Sequence, residues 1–387
     1  MSDALLLGLR GLSWANIILI CVALVFIYLG ISKKWEPYEL IPIGVGLLLA
    51  NLPNSGILIM PYEVDEEFGR AGLLGILIEF LLLRYTILPQ LIFLGLGALT
   101  DFGPLIANPK LFLLGAAAQV GIVVAFFGAL ALGHFGVADF GIREAACIGI
   151  IGGADGPTTI FLTSKLSPEF MGVTAVAAYS YMAMVALIQP PIIRLLTTKK
   201  ERQIQMKPQI RGVSQREKIL FPIISTIVVI LLVPYSAPLV GMFMFGNLIK
   251  ECGVVERLSD TAGNSLINIV TILLMLCIGA SMPGELVARP ETLMVLGLGL
   301  VAFASGTAGG VLMGKIMSLV TKEPLNPMIG AAGVSAVPMA ARVAQHMGQK
   351  ENPRNFLLMH AIGPNVAGVI GSAIVAGIFL SLIEPVL

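Results

Sequence analysis

From Ser13 to Ile31 the chain carries no charged residue, and that run settles the solvent in which it folds. A helix that crosses a bilayer needs about 20 consecutive apolar residues. Further mostly apolar runs follow at 40–51, 71–83, 85–99, 111–132, 145–164 and 171–196. After a polar interval come 219–235, 238–249, 267–279, 293–320, 328–341 and 356–387. Of the 387 residues 57% are hydrophobic and 12% charged, with a mean hydropathy of +0.92. Soluble domains carry about 25% charge, so this chain has too few charges to cover a water-facing surface. The expected fold is an all-α polytopic membrane protein. Lys33 and Lys34, not a small-residue cleavage site, follow the first run, so it reads as a retained helix and not a signal peptide.

Several runs are too short to span at about 1.5 Å per residue, and several are cut by Gly or Pro. Interrupted hydrophobic segments point to broken helices, which membranes tolerate only where the backbone lines a cavity or packs in protein. Ten to twelve membrane elements are expected, some of them half-helices. The longest polar stretch, 194–218, holds Arg194, Lys199, Lys200, Arg202, Lys207, Arg211, Arg216 and Lys218 against Glu201 and Glu217. Such an excess of Lys/Arg places a short loop in the cytoplasm, and its plain role is to set topology. The acidic stretch 63–67 reads as a solvated loop or interfacial helix.

The two halves repeat. Ile148-Gly-Ile-Ile-Gly-Gly-Ala-Asp-Gly-Pro157 lies over Ile329-Gly-Ala-Ala-Gly-Val-Ser-Ala-Val-Pro338, 181 residues on. Ala107-Asn108-Pro109 and Ala288-Arg289-Pro290 keep that offset, and Gly97-Ala98 and Gly279-Ala280 differ from it by one residue. Matching broken segments in two halves mark a repeat transporter fold and locate its binding site. Hydropathy leaves open whether the repeats are parallel or inverted. The expected organisation is N-terminal helices over 1–84, serving as scaffold or in oligomerisation, and a first repeat over 85–196 broken around 152–159. A basic linker over 197–218 leads to a second repeat over 219–387, broken around 326–342.

The net charge is +1 with no basic tail, which argues against nucleic-acid binding. Cys21, Cys147, Cys252 and Cys277 are widely spaced and form no CxxC; His134, His346 and His360 lack metal-ligand spacing. Neither a disulfide framework nor a zinc site follows. No GxxxxGK[ST] is present, so ATP does not drive the chain directly. HExxH, GxSxG and the Met-Lys-Met of a biotin attachment site are absent too.

Asp155 stands in Gly152-Gly-Ala-Asp-Gly-Pro-Thr-Thr159 between apolar runs. A carboxylate at membrane depth is costly unless paired or hydrated, so its default reading is an ion site, with an interfacial loop as the bland alternative. The glycines and proline unwind the helix and release carbonyls. Together with the hydroxyls of Thr158 or Thr159, these are hard oxygen ligands suited to an alkali cation. In the second repeat Asn326 and Ser335 offer neutral oxygens, although a helix cap and an intrahelical back-bond are their ordinary roles. One carboxylate with neutral ligands matches Na⁺ better than Ca²⁺. Arg342 is either a snorkelling cation or a two-point contact for a carboxylate. Tyr181 places a phenol on an apolar helix, where packing is the common role and ion or proton relay the rarer one. Asn365, at a Gly-Pro break, needs a partner if buried. Asp101 reads as a loop or cap residue.

The segments GGADGPTTIF, AAYSYMA, LIQPPII, GVVERLSDT, INIVTI, GVSAVPMAAR and FLLMHAIGPNVAGVIGSA resemble one family over about residues 15–376. It is the membrane β subunit of the sodium-pumping, biotin-dependent decarboxylases that act on oxaloacetate, methylmalonyl-CoA or glutaconyl-CoA. The resemblance implies inverted repeats and a cytoplasmic (inner) membrane location. It implies decarboxylation of carboxybiotin on a separate biotin carrier domain, coupled to Na⁺ export and consuming a proton. The implied partners are that carrier domain, a carboxyltransferase α subunit and a small single-helix γ or δ subunit, with the β chain a homotrimer. Carried onto this sequence, it makes Asp155, Asn326, Gly330, Ser335 and Asn365 the Na⁺ site. Tyr181 and Ser335 would take part in ion and proton movement, and Arg342 would face carboxybiotin. The interval from Leu52 to Arg70 is shorter than in long family members, as in the CoA-ester decarboxylases. The competing readings are a secondary Na⁺ transporter or Na⁺/H⁺ exchanger without biotin chemistry, and a scaffold, which leaves Asp155 unexplained.

Overall fold

Where no water reaches the peptide groups, a chain must close its backbone hydrogen bonds within helices. In the computed structural model, which describes residues 11–64, 70–206, 211–282, 290–321, 325–336 and 338–383, every regular element is helical. The membrane α class expected from composition is therefore the observed one. Ala288 and Arg289 of the repeat, residues 65–67 of the acidic stretch, Lys207 of the linker and Val337 lie outside the described residues.

The first half comprises α1 (Trp14–Ser32), α2 (Pro37–Ala50), α3 (Leu73–Arg84) and α4 (Ile87–Leu99), the last two bent by 71° at their junction. Next come α5 (Pro109–His134), α6 (Ile142–Ile150), α7 (Gly156–Leu166), and α8 (Pro168–Ala183) bent by 66° against α9 (Val185–Leu196). The second half has α10 (Gln215–Leu232), α11 (Met242–Glu251), α12 (Glu256–Ala280) and α13 (Pro290–Val320). A 3-10 segment (Pro327–Gly333), α14 (Met339–Glu351) and α15 (Leu358–Ile383) complete it. Among the described residues five helices are long and apolar enough to span, or seven if each bent pair counts as one. The remaining elements are shorter, in keeping with the half-helices expected.

The Gly-Ala pairs that repeat along the sequence share a structural task. A Cβ on Gly279 of α12 would lie 2.0 Å from the Ile43 carbonyl oxygen of α2, and one on Gly46 would lie 2.0 Å from that of Leu276. Gly97 of α4 stands in the same relation to Phe243 of α11, and Gly246 to Leu94, again at 2.0 Å. An asparagine seals each crossing: Asn51 Nδ2 donates to the Met282 carbonyl at 3.1 Å and Asn247 Nδ2 to that of Thr100 at 2.9 Å. The short helices α2 and α11 thus hold matching positions in the two halves.

Two helical hairpins enter this bundle from opposite ends. Helices α6 and α7 form the first, and its base is closed by the Ser167 hydroxyl donating to Glu144 at 3.2 Å. The 3-10 segment and α14 form the second, whose base is tied to the linker. Asn326 Nδ2 donates to the Arg202 and Ile204 carbonyls at 3.1 and 2.9 Å, and Arg202 pairs with Glu351 at 2.9 Å. Helices α5 and α13 fix which end is which. They run antiparallel, with Gly128 against Leu298, Gly121 against Ala302 and Gly309 against Ala117. The start of the first hairpin, just beyond the end of α5, therefore lies at the end where α13 begins. Lys315, near the other end of α13, bonds the Leu196 carbonyl at 3.0 Å and Glu201 at 3.2 Å. Thirty-one residues at 1.5 Å each separate the two ends by about 46 Å. The repeats are inverted.

Glu201 caps its own short helix at the linker end. Burial alone would raise its carboxyl, but the N–H and hydroxyl of Thr198 and the Lys315 ammonium outweigh burial and hold it below the usual carboxylate range. Stability from a depressed carboxyl is present above its unfolded value and is lost as pH falls through the folded one. Acidification below the ordinary carboxylate range is therefore expected to release the linker from α13, read as faster proteolysis between 197 and 218; in Glu201→Gln the rate should no longer depend on that titration. At the α2–α12 crossing, Gly279→Val forces a side chain into a backbone carbonyl. Overpacking costs roughly 1–3 kcal/mol even where neighbours can yield, so a clear fall in the thermal midpoint of the solubilised protein is expected.

Candidate functional site

The tips of the two hairpins meet at the centre of the molecule. Ile151–Gly153 form a single 3-10 turn, after which Ala154 adopts a left-handed conformation (φ 53°). For a residue with a Cβ that conformation is strained, and such strain persists where the surroundings dictate it. It turns the chain so that Asp155 becomes the N-cap of α7, its Oδ1 accepting the Thr158 N–H at 3.2 Å. Asp155 is 4% exposed, and the N-terminus of an 11-residue helix supplies partial positive charge to its carboxylate. Its Oδ2 accepts a 2.8 Å hydrogen bond from Ser372 on α15.

From the second hairpin, Ser335 donates both its N–H (3.1 Å) and its hydroxyl (2.6 Å) to the Gly153 carbonyl. Asn365, on α15, donates to the carbonyls of Ala332 and Val334, both at 2.9 Å, and so holds the second tip in place. Gln119 of α5 bonds the Gly115 and Gly368 carbonyls through Nε2, and its Oε1 is left buried without a partner. A Cβ on Gly153 would lie 3.7 Å from that oxygen. Carboxylate, hydroxyl, amide and carbonyl oxygens thus converge where the hairpins cross, the hard donor set an alkali cation takes. A cavity of about 200 Å³ opens beside them, lined by Asp155, Ser335 and Tyr179 and running to Glu39, Glu36 and Tyr38. Tyr38, in the first turn of α2, is exposed.

The expected residues do not all gather here. Asp155 and Ser335 do, and Asn365 supports them. Of the two threonines, Thr158 caps the carboxylate through its N–H, while Thr159 back-bonds the Asp155 carbonyl at 2.9 Å. Asn326 sits at the linker end, where its Oδ1 caps the 3-10 segment at Met328 (3.0 Å) and its amide grips the linker. Gly330 is the close-packing partner of Gly310, where either Cβ would meet the other's carbonyl oxygen at 2.0 Å. Tyr181 faces away from Asp155, donates to the Leu296 carbonyl on α13 and lines a separate apolar cavity of about 400 Å³. Arg342 is exposed on the first turn of α14, within electrostatic reach of Glu36 beside the central cavity. Asp101 caps the N–H of Gly103 at 2.8 Å and pairs with Lys218 at 3.4 Å, the loop and cap role expected.

Sequence reasoning passed over four residues of the site: Ser372, Gln119, Tyr179 and Glu39. Tyr179 and Ser372 lie within the quoted segments AAYSYMA and FLLMHAIGPNVAGVIGSA, and Gln119 and Glu39 lie outside any of them. The available signal was the polar character of each within an otherwise apolar helix.

Opposed hairpins meeting at a buried carboxylate define an inverted-repeat membrane protein, the plan of membrane transporters. A family model described as the Na⁺-transporting oxaloacetate decarboxylase beta subunit matches residues 15–383, and the chain belongs to this family. It is 58% identical to the methylmalonyl-CoA decarboxylase subunit beta of Propionigenium modestum, over 97% of this chain and 96% of that one. It is 52% identical to the glutaconyl-CoA decarboxylase subunit beta of Acidaminococcus fermentans (97% and 95%). Identity to the oxaloacetate decarboxylase beta chain 2 of Salmonella typhi is 50% (97% of each).

Hydrogen bonds to charged groups contribute roughly 1.5–3 kcal/mol. Ser372→Ala removes such a donor from Asp155 and one oxygen from the site. The Na⁺ concentration for half-maximal turnover is expected to rise at least about tenfold, since 1.4 kcal/mol is a factor of ten. An unchanged Na⁺ dependence would place the ion elsewhere.

Proposed function

We propose that this chain decarboxylates carboxybiotin presented by a partner carrier domain and couples that step to Na⁺ export across the cytoplasmic membrane. The observation that carries the reading is Asp155: a buried carboxylate at a helix break, where hairpins from opposite ends touch. A cation held there is a short rearrangement of either hairpin from either face, as alternating access requires. Family membership supplies the chemistry that such a site drives.

In that chemistry the C–N bond between the carboxyl carbon and the biotin ureido nitrogen breaks. CO₂ leaves, the electron pair stays on nitrogen, and one proton is taken up there. Arg342 meets the carboxylate of carboxybiotin in this reading, which its exposure and its electrostatic reach to Glu36 at one end of the cavity support. That end lies toward the linker, because α1 starts near Met282 through the Asn16–Asn51 contact and runs the other way. The linker's basic residues make it the cytoplasmic end. Asp155 and Ser335 hold Na⁺, with Ser372 and Gln119 completing its oxygen shell. The γ or δ subunit and the other β chains have the outward face of α1 available, where Ile18, Leu24, Val25 and Tyr28 are more than half exposed.

Chain length favours a CoA-ester complex. Alignment to the methylmalonyl-CoA relative spans 387 positions, against 421 for the oxaloacetate relative from Salmonella typhi, so the extra segment of the latter is absent here.

The test is CO₂ release from free carboxybiotin, or from a carboxylated carrier domain, by the purified membrane complex with and without Na⁺. Turnover is expected to require Na⁺ and to fall at least about a hundredfold in Asp155→Asn, in line with loss of a charge that no neighbour replaces. Carboxybiotin that survives in every condition, while vesicles still exchange Na⁺, would instead make the chain a secondary transporter.

A further inference from the structure

We propose that Glu39 is a second Na⁺-ligating carboxylate of the central cavity, acting with the hydroxyl of Tyr179 across from Asp155. This rests on the Na⁺-pump reading above and extends it to helix α2, outside both hairpins.

Two polar groups in the cavity wall are unsatisfied. Tyr179 is 1% exposed, yet its hydroxyl has no hydrogen-bond partner. One carboxylate oxygen of Glu39 is likewise buried without a partner. Buried polar groups are almost always bonded, so each exception calls for a missing partner. Both residues line the same cavity as Asp155 and Ser335, and the Tyr179 hydroxyl lies within electrostatic reach of both carboxylates.

The position of Tyr179 is built into the backbone. A Cβ on Gly156, the residue after Asp155, would stand 2.2 Å from Tyr179 Cζ and 2.6 Å from its hydroxyl oxygen. Only glycine there lets the phenol reach past the first hairpin tip into the cavity. Glu39, for its part, occupies the first turn of α2, so Glu39 and Asp155 both stand at helix N-termini, whose partial positive charge steadies an anion. The turn before α2 is itself strained, with Lys34 and Glu36 at φ 55° and 30°.

Charge then decides the ligand. Among the described residues no Lys or Arg lines this cavity, and Arg342 acts on Glu36. Asp155 already has Ser372 and the Thr158 N–H on its oxygens, whereas the buried Glu39 oxygen and the Tyr179 hydroxyl have nothing. With Glu36 answered by Arg342, one monovalent cation balances only one of Asp155 and Glu39 when both are ionised, and an uncompensated buried charge is strongly unfavourable. The cavity has room for several waters, each taking about 30 Å³, and so for a second, partly hydrated Na⁺ between Glu39 and Tyr179. Carboxylate and phenol oxygens are the hard donors that ion prefers.

The test is equilibrium binding of ²²Na⁺ to the purified complex for wild type, Glu39→Gln, Tyr179→Phe and Asp155→Asn. Glu39→Gln is expected to bind one Na⁺ fewer per β chain than wild type while keeping the Asp155-dependent ion. Tyr179→Phe removes only the hydroxyl and should weaken the same ion about tenfold, the effect of 1.4 kcal/mol. Wild-type stoichiometry and affinity in both variants would overturn the proposal. If Glu39→Gln does not assemble, Tyr179→Phe decides alone. Loss of an ion in Asp155→Asn but none in the other two refutes this inference and leaves the pump reading intact, whereas no loss in Asp155→Asn refutes that reading itself.

Discussion

A carboxylate in a low-dielectric interior is tolerable only when something else in the structure answers its charge, and the architecture around Asp155 is organised by that need. In the proposed reading, a lysine or arginine opposite it would fill the position of the transported cation. The chain supplies partial charges instead: a helix N-terminus, a backbone N–H and the hydroxyl of Ser372. These steady the anion and leave it able to accept an ion. The break at Gly152-Gly153-Ala154 follows, because a continuous helix would offer no N-terminus at this depth.

Bringing oxygens from four elements to one point sets the second constraint, close backbone approach. The hairpin tips touch through Ser335 and the Gly153 carbonyl, and their neighbours pack through Gly330–Gly310 and Gly121–Gly152 contacts that leave no room for a Cβ. Without a hydrophobic driving force in lipid, helices associate through such small-residue packing. Glycine at these crossings thus serves contact more than flexibility. The crossings of α2 with α12 and of α4 with α11 show the same device used twice under the inverted symmetry.

Much of this was legible in the residues. Charge depletion gave the membrane class, and Gly/Pro breaks 181 residues apart marked the two broken segments that carry Asp155 and Ser335. The orientation of the repeats was not readable from hydropathy, because it depends on which runs turn back. Half-helices such as α6 and α7 look like a spanning segment in a hydropathy profile. Ser372 was invisible for another reason: it lies 217 positions from Asp155, and a serine in an apolar helix has a back-bonding role in any case. Tyr179 and Tyr181 show the limit most clearly. Two residues apart on one helix is about 200° of rotation, so only one of them faces a given site; the structure turns Tyr179 to the cavity and Tyr181 to α13. Asn326 and Gly330 belong to the same hairpin as Ser335, but in this structure one ties its base to the linker and the other packs its shaft.

The central claim is that the transported cation sits where the two opposed hairpins touch, bound to Asp155. High-resolution structures of the purified complex in saturating NaCl and in choline chloride address it directly. The account predicts Na⁺-dependent density within coordination distance of the Asp155 carboxylate, with oxygens of Ser335 and Ser372 among its neighbours. Na⁺ bound only away from the hairpin tips, with Asp155 unchanged between the two salts, would contradict it.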